Sequence, residues 1–115
     1  MFEVTYTAKD FDKIRMYKLN SDQLLTLLKS DNFVQKARYQ VVVDSIKQLQ
    51  KVRQIRTYQD RDEVMYAVKL MTEESALRDM PQSYMASLTH AVSKMRIEDE
   101  VVWARIAAHL ANTHD

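Results

Sequence analysis

Asp62-Glu63-Val64-Met65-Tyr66-Ala67 and Asp99-Glu100-Val101-Val102-Trp103-Ala104 carry one six-residue order: acid, acid, apolar, apolar, aromatic, alanine. They lie 37 residues apart. Two acids ahead of an apolar pair suit a helix start, where unsatisfied N–H groups and the helix dipole favour negative charge. Asp22-Gln23-Leu24-Leu25, 40 residues before the first string, reads as a third such start. The stretches just upstream also resemble one another: Ile14-Arg15-Met16-Tyr17, Ile55-Arg56-Thr57-Tyr58 and, more loosely, Met95-Arg96-Ile97. A helix–joint–helix unit recurring every 20 to 50 residues marks an α-solenoid or a short stack of helical hairpins.

The rest of the chain fills in around these starts. Asn20 and Ser21 precede Asp22 as caps of a helix of about two turns. Asp31 or Asn32 opens a longer run in which Val34, Val42, Ile46, Leu49, Val52 and Ile55 recur at helical spacing, with one gap of eight. Polar residues 57–61 end it, and Asp60 or Asp62 caps the next helix, with Val64, Met65, Val68 and Met71. Pro81 suits a helix first turn ahead of Tyr84, Leu88, Ala91, Val92 and Met95. A joint at Arg96-Ile97-Glu98 leads to Val102, Trp103, Ile106 and Leu110. Phe2, Val4 and Tyr6 alternate with polar residues, the pattern of a short extended arm over 1–7. The expectation is an all-α single domain over 1–115: five or six helices as a short stack of antiparallel hairpins, in units of about 8–30, 31–73 and 81–113.

Composition narrows function. The 115 residues include no glycine, where an average chain would hold roughly eight. That excludes glycine-loop chemistry: the P-loop, the dinucleotide fingerprint and the G-x-S-x-G elbow. The absence of cysteine excludes thiol catalysis and Cys-ligated metals. His109 and His114 stand five apart, which is not the i, i+4 pair of a zinc-protease helix, and His90 beside Ala91-Val92 reads as a partly buried or interface residue. Glu73-Glu74 and Glu98-Asp99-Glu100 fall where helix caps would place them. Met65, Met71, Met85 and Met95 fall on helical stripes and are expected in the core, while Tyr39, Tyr58 and Tyr84 suit a surface. No enzyme activity, metal or cofactor is expected. No run approaches the 18 or so apolar residues of a membrane span, so no direct span is expected.

Residues 84–112 resemble one unit of the heptatricopeptide and octotricopeptide type, repeats that also occur in FAST-kinase-like and RAP-domain proteins. In those families a helix ending Ala-x-x-Lys-Met meets a short joint and then Asp-x-x-Leu-Trp-x-x-Leu-Ala. Ala91, Lys94 and Met95 match the first half; Asp99, Val102, Trp103, Ile106 and Ala107 match the second. The resemblance implies a helical-repeat fold and an organellar setting of RNA or ribosomes.

Charge is uneven along the chain. The formal net charge is only +1. Yet Lys36, Arg38, Lys47, Lys51, Arg53 and Arg56 lie within 21 residues that hold a single acid, Asp44, whereas Thr57 to the end holds six basic and ten acidic residues. Lys36, Gln40, Lys47 and Lys51 fall near one helical stripe opposite Val42, Ile46 and Leu49. Such a stripe can neutralise phosphates as positioning contacts. With the resemblance, this makes the expected role a structural subunit of an organellar ribonucleoprotein, a mitochondrial ribosomal protein, touching rRNA through those six residues. Phe2, Val4, Tyr6, Val101 and Trp103 are the expected contacts to other protein subunits. The competing expectation is an accessory protein-only subunit of a mitochondrial membrane complex, a respiratory complex or ATP synthase. Basic residues gathered on one exposed face favour the first; pairing or dispersal favours the second.

Overall fold

The computed structural model describes residues 11–30, 33–52 and 61–112. Among them the chain is helical and free of strand. A 3₁₀ turn at Met16–Lys18 precedes α1 (Ser21–Lys29), α2 (Phe33–Lys36), α3 (Tyr39–Val52), α4 (Asp62–Met71), α5 (Glu74–Asp79), α6 (Gln82–Lys94) and α7 (Glu100–Asn112). Five helices run from 9 to 14 residues, and α2 and α5 have 4 and 6. The all-α class holds, and the five longer helices fit the expected five or six, with the short α2 and α5 beside them. The alternating arm at Phe2, Val4 and Tyr6 lies outside the described residues.

Helix starts follow the side chains available to cap them. Asn20 and Gln23 form a reciprocal capping box: Gln23 N–H donates to Asn20 Oδ1 at 2.9 Å, and Asn20 N–H donates to Gln23 Oε1 at 3.0 Å. Asp99 caps α7, its Oδ1 accepting Val102 N–H at 3.1 Å. At α4 the expectation of an aspartate cap fails. Arg61 stands at the cap with no side-chain hydrogen bond, and Asp62 is already the first helical residue. The two matching hexapeptides therefore open their helices one residue out of step. Val64 is buried but its sequence counterpart Val101 is exposed; the residue buried like Val64 is Val102. The strings repeat at 37 residues, whereas burial repeats at 38.

The long run expected from Asp31 or Asn32 is two helices. Ala37 N–H closes α2 on the Phe33 carbonyl at 2.8 Å, and Val41 and Val42 N–H begin α3 on the Arg38 carbonyl at 2.9 and 3.2 Å. The eight-residue gap between Val34 and Val42 is the trace of this break.

Helix α3 is central, packing against α1, α4, α6 and the 3₁₀ turn. Its Val42, Val43, Ile46 and Leu49 are wholly buried, among Leu24 and Leu25 of α1, Val64 and Val68 of α4, and Leu88 and Val92 of α6. Phe11 meets Phe33 edge-on at 4.9 Å, and Tyr39 meets Tyr84 edge-on at 5.8 Å, so these two tyrosines are half-buried rings on the core's flank. Met71, Met85 and Met95 are core residues, and Met65 packs against the core half-buried. Helix α7 buries Val102 and Ile106 and packs mainly on α5. A long ion pair, Lys29 Nζ to Glu63 Oε1 at 3.6 Å, spans from the end of α1 to the start of α4.

Without glycine, the α6–α7 joint uses arginine in a left-handed conformation. Arg96 has φ 57°. Its N–H donates to the Ser93 carbonyl at 3.0 Å, and Ile97 N–H reaches back to the Val92 carbonyl at 3.3 Å. These are the two bonds of a Schellman motif, and buried Ile97 and Val92 supply its apolar contact. A Cβ in this conformation is unfavourable by about 1 kcal/mol. Arg96→Gly is therefore expected to stabilise the fold by about 0.5–1 kcal/mol, raising the thermal unfolding midpoint by about 2–5 °C; calorimetry of the two chains checks this.

Candidate nucleic-acid interface

Because α3 turns Val42, Ile46 and Leu49 inward, its other side carries Asp44, Lys47, Gln48 and Lys51 outward. Lys47 and Lys51, one helical turn and about 6 Å apart along the axis, border two open grooves at once. The first, of about 390 Å³, runs between α3 and the segment ahead of α1, with Lys13, Arg15 and Tyr17 on its far wall. The second, of about 330 Å³, runs between α3 and α6, with Ser87 and His90 on the far side. The two lysines thus form a ridge with further cationic or polar groups on both flanks. His90 is exposed on this wall, so of the two expected placements, partly buried or at an interface, the buried one does not apply.

Two carboxylates temper the first groove. Asp12 is engaged by Arg38, Nε to Oδ2 at 3.1 Å. Asp44 is half-buried beside the lysines. Burial pushes its carboxyl above the usual range, while Lys47 and Lys51 pull it down less strongly.

The expected basic set is divided by the fold. Lys47 and Lys51 stand together. Arg38 is exposed but ties the start of α3 to Asp12. Lys36 is exposed on the separate helix α2, across the break from the α3 stripe. Arg53 and Arg56 lie outside the described residues. Lys13, Arg15 and Tyr17 complete the groove and were not expected there. Their signal is the alternation Lys13-Ile14-Arg15-Met16-Tyr17, which buries Met16 and half-buries Ile14 while the residues between face solvent.

At the far end, Val101 is 51% exposed. Trp103 is half-buried, its Nε1–H donating to the Ile97 carbonyl at 2.7 Å, so it fastens α7 to its own joint. Ala104, Ala107, Ala108 and Ala111 are exposed on α7. Among the described residues, no three His, Cys, Asp or Glu are grouped to hold a metal, and no helix is long and apolar enough to cross a membrane. No protein-family model, curated protein or solved structure matches the chain.

Asp44 gives the site a pH signature. Its folded-state carboxyl titrates above its unfolded value, so ionising it opposes folding. That opposition is absent below the ordinary carboxylate range and fully present above the raised folded value. Asp44→Asn is expected to raise the unfolding midpoint at pH 7 and leave it nearly unchanged at pH 3. The same change removes a negative charge beside the ridge and should tighten polyanion binding about threefold at low salt. Thermal unfolding at the two pH values and oligonucleotide titration check both parts.

Proposed function

We propose that this chain is a non-catalytic, helical-repeat structural subunit of an organellar ribonucleoprotein, in its most specific form a mitochondrial ribosomal protein, seated on rRNA through the α3 ridge. The observation that carries this reading is the placement of Lys47 and Lys51 together on the outer side of α3, with Lys13 and Arg15 across the first groove. Four cations facing one groove, against one carboxylate already paired and one beside the lysines, suit the phosphate backbone of a nucleic acid. These contacts position the chain on RNA and leave sequence unread. The resemblance of residues 84–112 to organellar repeat units supplies the setting.

A second reading rests on α7 and on the basic set itself, since Arg38 is paired with Asp12 and Lys36 stands apart on α2, the dispersal that favours it. The exposed side of α7 presents Val101 and four alanines, a surface suited to packing against another helix. This favours an accessory protein-only subunit of a mitochondrial membrane complex, held by its neighbours and independent of RNA.

Native sedimentation of the endogenous protein separates the two, with and without ribonuclease and at two salt concentrations. Under the first reading the protein co-migrates with a large particle that collapses on ribonuclease treatment. The paired change Lys47→Glu and Lys51→Glu is then expected to release the protein into the light fractions, more completely as salt rises. Co-migration that survives ribonuclease but needs detergent extraction selects the second reading. A small free monomer defeats both.

A further inference from the structure

The most exposed large side chain with an apolar face among the described residues is Tyr17, at 70%. It does not stand in an apolar patch. Its flanks on the 3₁₀ turn are held, Met16 buried and Leu19 half-buried. Lys18 N–H and Leu19 N–H each close the turn at 3.0 Å, on the Arg15 and Met16 carbonyls. Gln48, between Lys47 and Lys51 on α3, reaches the Tyr17 carbonyl with its Nε2 at 3.5 Å, the outer limit of a hydrogen bond. The backbone of Tyr17 is thereby fixed against the basic ridge while its ring projects into water. Lys18 Nζ lies 6.0 Å from the ring centroid and adds another cation at that point.

A tyrosine ring held out from a cationic groove has the two parts of a single-strand binding surface: a face for a base and ammonium groups for the phosphates beside it. A duplex could use the lysines, but its bases are stacked on one another and cannot cover the ring. An apolar protein surface would have to strip water from Lys13, Arg15, Lys18, Lys47 and Lys51 to reach it. Resting on the ribonucleoprotein reading, we propose that the groove between the 3₁₀ turn and α3 binds single-stranded RNA, with one base stacked on Tyr17 and the flanking phosphates on Lys47, Lys51 and Lys13. Recognition is sequence-tolerant, because every base offers a π-face, and the site prefers an unpaired loop or strand to a helix.

The test titrates the full-length chain into a fluorescently labelled 12-nucleotide single-stranded RNA and into the corresponding RNA duplex, followed by anisotropy at two salt concentrations. Tyr17→Ala is expected to weaken single-strand binding about tenfold while leaving duplex binding and the salt dependence unchanged; Tyr17→Phe, which keeps the ring, restores wild-type affinity. Lys47→Glu with Lys51→Glu is expected to weaken both probes and flatten the salt dependence. Unfolding midpoints of all variants, measured alongside, identify any that has lost its fold, and Tyr17→Ser then replaces Tyr17→Ala. If Tyr17→Ala binds the single strand like wild type while the double lysine variant fails, stacking is overturned and the ribonucleoprotein reading stands. If the wild-type chain binds neither RNA, or if polyglutamate displaces the RNA at equal charge concentration, both are overturned, the latter in favour of an acidic protein partner.

Discussion

The structure depends on the two-sidedness of α3. Val42, Val43, Ile46 and Leu49 are fully removed from water and touch the surroundings of three other helices. Burying each contributes about 1.5–3 kcal/mol before the entropy of ordering the chain is counted. Turning α3 by one residue, about 100°, would drive Asp44 or Lys47 toward that core and leave a charge without solvent or partner. The core therefore fixes where the lysines stand. The ridge and the grooves on either side of it are the outward consequence of an inward constraint, and the candidate interface inherits the rigidity of the core helix.

Much of this was legible because period and burial share one cause. The spacing of Val42, Ile46 and Leu49 located the inner side of α3 and, by exclusion, the outer side with Lys47 and Lys51. Asn20 and Asp99 were readable as helix starts because a capping side chain must sit at a fixed offset from the N–H it serves, while the reciprocal bond from Gln23 came only with the structure. What stayed hidden was contact between distant stretches. The alternation over residues 13–17 marks Lys13, Arg15 and Tyr17 as facing water, but their approach to the α3 ridge depends on the folding back of the 3₁₀ turn, which no local pattern announces. Arg38 belonged by sequence to the basic run and by geometry to Asp12. The one-residue slip between the paired hexapeptides was invisible for a related reason: sequence similarity does not say whether an aspartate caps a helix or lies within it.

A chain with no glycine must make its sharp turns by other means. Asn20 with Gln23 and Asp99 with Val102 satisfy helix N-termini through side chains. Thr72, fully buried, ends α4 by turning its hydroxyl onto the Val68 and Lys69 carbonyls at 2.9 and 3.2 Å. Arg96 takes the left-handed position that glycine would occupy at no steric cost. Each device leaves the unfolded chain less flexible than a glycine-bearing one, so part of the local strain in the native joints is offset by lower disorder in the denatured state.

Lys69 is held from both ends. Its ammonium lies 3.6 Å from Asp99 at the start of α7, and its carbonyl accepts Arg105 Nη1–H from the middle of the same helix at 3.0 Å. That carbonyl is one of the four at the end of α4 that lack a helical partner. Separating α7 would remove a cap from α4 and break the ion pair. The last turn of α4 and α7 are therefore tied across some thirty residues of sequence by one ion pair and one hydrogen bond, so that local opening of either loosens the other. A neighbour that grips α7 thus steadies the end of α4 as well, and the C-terminal helix is wired into the domain more deeply than its exposed alanines suggest.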